Sequence, residues 1–235
     1  SASASATIEN STISGNTAGA ASGGLFLNRG TINNSTISGN TANGAGANDG
    51  GGGIRIQAGT NSVSISSTTI TNNSAPNAES GSRSGIWHET GTLTLQNTIV
   101  AANTTQDIQL SGGTLTDGGH NLIGRNTSVE TQYPAGLPSG TNWVGTGAAP
   151  LAPLLAPLAL YGGPTETHAL FPASVAIDNG NDTGNTLDQR GYIRPWDVVG
   201  VPNSPSGNAA DIGSFEADSF PFTAGFPIRD RKSTR

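Results

Sequence analysis

The chain has 235 residues, a net charge of −6, 33% hydrophobic and 11% charged residues, and no Cys. One Lys and nine scattered Arg leave no clustered basic surface for counterion release, which excludes a nucleic-acid binder, and the lack of Cys excludes disulfides and Cys-based metal or nucleophile chemistry. So few charges also argue against a disordered chain and for a thin, repetitive core.

The N-terminal half repeats itself. The block S-T-I-S-G-N-T-A at residues 11–18 returns unchanged at 35–42. Relaxed copies, T-T-I-T-N-N-S-A at 68–75 and N-T-I-V-A-A-N-T at 97–104, place anchors at Ile13, Ile37, Ile70 and Ile99, with spacings of 24, 33 and 29, and a degenerate copy follows at Ile123. Between anchors lie two more short apolar segments. One follows small residues (Leu25-Phe26-Leu27, Ile54-Arg55-Ile56, Ile86-Trp87, Ile108-Gln109-Leu110). The other precedes the anchor (Thr7-Ile8, Thr31-Ile32, Val63-Ser64-Ile65, Leu93-Thr94-Leu95). Period-two alternation turns one face of each segment inward. Three short strands per repeat predict an all-β, right-handed parallel β-helix, with Gly and Asn at corners where positive φ costs little. Asn16, Asn40 and Asn73 fall at one such corner, where successive amides can form a ladder. Residues 43–53 and 76–84 read as loops leaving that same corner. Trp87 and His88, just after the second loop, are the candidate glycan contacts, with Trp87 available to stack on a sugar ring.

The sequence opens inside a repeat, which places the true N-terminus and any export signal upstream. It contains no apolar run of about 18 residues, the length a membrane-spanning helix needs.

From about Tyr133 the composition shifts towards Pro. The motifs L-Y-G-G-P-T-E-T-H-A-L, A-I-D-N-G-N, L-D-Q-R-G-Y-I-R-P and A-D-I-G-S-F-E follow in order between residues 151 and 216. This string resembles the C-terminal element of bacterial β-helix surface proteins called the choice-of-anchor Q domain, over about 65 residues. Departures are Ser174-Val175 and Ser214, where Ser-Pro and Ala are usual. The resemblance implies an exported bacterial protein at the cell surface, of undefined molecular activity. The expected layout is β-helix repeats over 1–125, a cap over 126–217 and a tail over 218–235, whose last residues, R-K-S-T-R, resemble adaptor read-through. The Pro-rich stretch 151–160 is expected to lie across the open end of the stack. Asp178, Asp188, Gln189, Arg190, Arg194, Asp211 and Glu216 are expected to form a structural lock, with Arg190 and Arg194 pairing with carboxylates.

The rival class is a carbohydrate-active enzyme, a polysaccharide lyase or glycoside hydrolase, with its site on the repeat face or in upstream coils. Hydrolysis needs two carboxylates flanking the bond. The acids of the repeats (Glu9, Asp49, Glu79, Glu89, Asp107, Asp117) do not recur at equivalent positions. His88, His120 and His168 are isolated in sequence, so no metal centre is expected from them. Asp178 and Asp182 are the one candidate Ca²⁺ pair, but Gly180 and Gln189 break the EF-hand pattern and an Asx turn explains the loop as well. The sequence reading is therefore an extracellular, monomeric structural or adhesive protein without a cofactor, with a polysaccharide or host glycan as its partner.

Overall fold

A computed structural model describes residues 5–78, 83–182 and 184–218. Glu79, Lys232 and the R-K-S-T-R end fall outside them. The described residues are all-β, without a helix, and most strands are parallel, an arrangement compatible with a β-solenoid. No helix among them is long and apolar enough to cross a membrane.

Two sheets face each other across the core. The first contains Ala6–Glu9, Leu25–Leu27, Gly30–Asn33, Ile54–Ser66, Ile86–Gln96, Ile108–Leu110 and Thr114–Asp117. Both apolar segments of each repeat lie here. In the third and fourth rungs they fuse into one long strand, Ile54–Ser66 and then Ile86–Gln96. The second sheet stacks Thr12–Ser14, Thr36–Ser38, Thr69–Thr71, Ile99–Ala101, Leu122–Ile123 and Asn142–Val144 in parallel, with Gly136–Ser139 antiparallel at its edge. Ile37, Ile70, Val100, Ile123 and Val144 point inward against Ile32, Ile65 and Leu95, all at most 1% exposed. Each such side chain contributes roughly 1.5–3 kcal/mol by leaving water.

The fourth anchor is Val100, not Ile99. Val100 pairs with Ile70 and with Ile123, while Ile99 pairs with Thr69 and faces outward. A one-residue slip exchanges faces. It is tolerated because the outer face at this level is also covered, so Ile99 remains 0% exposed.

A corner column explains the Asn and Gly content together. Asn16, Asn40, Asn73 and Asn103 each donate Nδ2–H to the next Oδ1, at 2.9, 3.0, 3.0 and 2.8 Å, the last acceptor being Asp107 Oδ1. The backbone N–H of each Asn donates to the same Oδ1. Gly53 and Gly85 lie against this column: a Cβ on Gly53 would come 3.0 Å from the Asn73 amide, and one on Gly85 2.8 Å from Asn103 Nδ2. In the next rung Asp107 occupies the glycine position, its carbonyl accepting the Ile86 N–H as the Gly85 carbonyl accepts that of Ile54. Its carboxylate suits the end of the ladder, because Oδ1 accepts from Asn103 and Oδ2 from the Arg125 N–H. Burial pushes the Asp107 pKa up to about 6, against the pull of those donors.

The end of the stack after Val144 is closed from within by Val129 and Tyr133, both fully buried in the core. Residues 151–160 do not lie across that end, contrary to the sequence expectation. They start beside the fifth rung, where Leu151 N–H donates to the Gly124 carbonyl, and turn back along the outside of the second sheet. The reason lies in that sheet's outer face. Ile99, Ala101, Leu122 and Trp143 make it apolar, and residues 151–217 bury it with Ala156, Leu170, Ala176, Ile177 and Ile212. The C-terminal segment is a strap along the flank.

Candidate functional site

Beyond the apolar band the strap is held by polar side chains. The 188–191 turn closes through Gly191 N–H to the Asp188 carbonyl. Gln189 projects from it onto the first two rungs: Nε2 donates to Thr12 Oγ1 at 2.9 Å and Oε1 accepts from Thr36 Oγ1 at 2.7 Å. Ser214 reaches the third rung at Thr69, and the Asp211 carbonyl accepts from Asn97 Nδ2 in the fourth. His168 bridges Ser38 Oγ at 2.8 Å and the Ala156 carbonyl at 2.7 Å. Burial lowers its pKa, and a neutral ring with its proton on Nδ1 satisfies both contacts.

Six of the seven proposed lock residues, Asp178, Asp188, Arg190, Arg194, Asp211 and Glu216, form one connected set of contacts, while the Gln189 side chain turns to the rungs. Arg190 donates through Nε to Asp188 Oδ2 at 2.7 Å and through Nη2 to the Glu216 carbonyl, with its guanidinium over Phe215 and Tyr192. Asp188 also accepts the backbone N–H groups of Arg190, Tyr192 and Glu216. Arg194 lies 3.2 Å from both Asp182 and Glu216 and donates to the Asp211 carbonyl. Glu216 accepts from Trp196 and Asp211 N–H, and Asp211 from Asp178 and Ala217 N–H. Of the carboxylates named as pairing partners, Asp178 instead accepts the Val198 N–H.

The candidate Ca²⁺ pair does not converge. Asp182 accepts from Ser67 Oγ, Asn185 and Gly184, while Asp178 turns to Val198. No group of three or more potential metal ligands occurs among the described residues.

The glycan-contact expectation is corrected. Trp87 is 3% exposed and His88 is fully buried. Trp87 lies on the outer side of the first sheet, but its ring sits under the guanidiniums of Arg55 and Arg83, at 4.3 and 3.8 Å from the ring centroid. Arg55 pairs with Glu89, and Arg83 holds the 43–53 loop through the Ala47 and Asp49 carbonyls. His88 points inward, in register with Ile56 and Leu110, and burial lowers its pKa. Trp87→Ala is therefore expected to cost about 3 kcal/mol, from lost packing and two cation–π contacts, and to leave glycan binding unchanged. Urea unfolding and a glycan array on the variant check both parts.

A cavity of about 730 Å³ opens among strap residues, walled by Gly163, Pro164, Arg190, Tyr192, Ile193 and Trp196. Sequence reasoning did not anticipate it, because it depends on how the G-G-P and R-G-Y-I-R-P turns fold against each other. No protein-family profile, curated protein or solved structure matches this chain.

Proposed function

We propose that this chain is part of an exported bacterial cell-surface protein, a right-handed parallel β-helix with a structural or adhesive role. The hand follows the strong preference of parallel β crossovers, and the surface location follows the resemblance of the C-terminal motifs to the choice-of-anchor Q element. The observation that carries the reading is the use made of the charged motif residues. Asp178, Asp182, Asp188, Asp211 and Glu216 are at most 6% exposed, and each accepts hydrogen bonds from within the protein. Their chemistry is spent on holding the strap.

A polysaccharide-cleaving enzyme is the second reading, favoured by the cavity whose wall includes Arg190, Tyr192, Trp196 and Glu216. One experiment separates the two. The chain and an Arg190→Ala/Asp211→Ala variant are screened against polysaccharides for binding and for chain cleavage, with and without Ca²⁺. Binding without cleavage, with the variant merely less stable, supports the adhesive reading. Cleavage of any polysaccharide by the unaltered chain overturns it.

A further inference from the structure

The interface between strap and rungs is uneven in its ionisable groups, the rungs bringing His120 to it beside neutral side chains. The rungs contribute Thr12, Thr36, Ser38, Ser67, Thr69 and Asn97, none of which ionises. Inside the strap, Asp178, Asp182, Asp188, Asp211 and Glu216 stand with Arg190 and Arg194, all at most 7% exposed, and of these carboxylates Asp182 meets a rung side chain directly, at Ser67. Among the described residues these five carboxylates stand with two guanidiniums, so their full ionisation leaves an excess of three negative charges out of water. Arg190 is committed to Asp188, and Arg194 is divided between Asp182 and Glu216. The carboxylates of Asp178 and Asp211 accept backbone N–H groups. Other titratable groups here include Asp197, whose charge presses on Asp178, Tyr192 under the Arg190 guanidinium, Glu166, whose carbonyl accepts from Thr12, His120, against the Asn179 carbonyl, and the neutral His168.

We propose that the strap is a pH-responsive clamp, shut over the rungs in mildly acidic solution and opening towards neutral pH while the stack beneath stays folded. Burying an unpaired carboxylate is costly, and binding a proton relieves the cost. Burial raises Asp178 to about 6 and Glu216 to about 7, and burial together with the charge of Glu216 raises Asp211 well above the carboxylate range. Opening loosens the strap and lets water reach these groups, which moves them towards the ordinary value of about 4. A group whose pKa is raised in the closed state gives its full contribution below about pH 4, and that contribution is lost as pH climbs through the closed-state value. The clamp therefore weakens between about pH 4 and 7. Asp182 sets the lower limit. Burial opposes its charge, but Arg194, Ser67 and Asn185 outweigh burial and lower its pKa, so its contribution is kept above the ordinary carboxylate value and lost in stronger acid. Opening bares the apolar outer band of Ile99, Ala101, Leu122 and Trp143.

Hydrogen exchange of the full chain at about pH 4.5 and 7.5, corrected for intrinsic rates, tests this. The strap amides of Ala156, Gly180 and Ile212, each hydrogen-bonded within the strap, are expected to lose protection roughly tenfold or more at the higher pH. The rung amides of Ile54 and Ile99, bonded rung to rung, are expected to hold theirs. Asp178→Asn is expected to shrink the loss in the strap. Equal strap protection at both pH values overturns the proposal, and so does a parallel loss in strap and rungs, which marks global unfolding. The unaltered chain decides the question even if the variant does not fold.

Discussion

Asn73→Ala is expected to cost about 3–5 kcal/mol, a large share of the stability of a domain of this size. Asn73 is fully buried and makes hydrogen bonds on both sides of its rung. Its Oδ1 accepts the backbone and side-chain N–H of Asn40, and its Nδ2 donates to the Ile37 carbonyl and to Asn103. Truncation strands all of these partners away from water, and each stranded group costs about 1–3 kcal/mol. Asn16→Ala is the internal control. Asn16 is exposed and, among the described residues, donates to Asn40 at the start of the ladder, so its loss is expected to stay below about 1 kcal/mol. Equilibrium urea unfolding of both variants checks the ladder, and equal costs would show that it contributes nothing beyond local contacts.

The second large effect is expected at Arg194. Its side chain is fully buried between Asp182 and Glu216. Arg194→Met keeps most of the volume and removes the charge, leaving two carboxylates without their shared cation, at a cost of about 3–5 kcal/mol. The variant should also lose more stability than the unaltered chain as pH rises from about 5 to 7, because Glu216 and Asp182 must then ionise unpaired. Thermal unfolding across that range measures both. A variant no less stable at neutral pH would mean that Arg194 only fills space.

The repeats were legible because a solenoid writes its period into the chain. The Ile anchors, the alternating segments and the first three ladder residues can all be read from spacing. The slip at Ile99 could not be read from Ile alone, since Ile99 and Val100 are equally apolar. Counting from the Asn would have settled it: Asn16, Asn40 and Asn73 each lie three residues after the inward side chain, and so does Asn103 after Val100. The motif residues of the strap were recognisable as a polar lock, but its location was not. Nothing local in 151–217 says which surface it covers. The apolar outer positions Ile99, Ala101, Leu122 and Trp143 carried that information in the other half of the sequence. Trp87 misled because an aromatic next to a loop looks exposed until two distant Arg residues fold over it.

The strap also sets an order of assembly. Rung-to-rung contacts join residues about one repeat apart, so the stack can grow from one end as the chain emerges. Many strap contacts span much more, such as 114 residues at Asn97–Asp211 and 177 at Thr12–Gln189. Loop closure on that scale waits until the strap itself has been made. The strap, made after the rungs, therefore latches back onto them, and until it does the outer band around Ile99 and Leu122 lies bare. For a nascent chain, that interval is when sticking to a neighbour competes with folding.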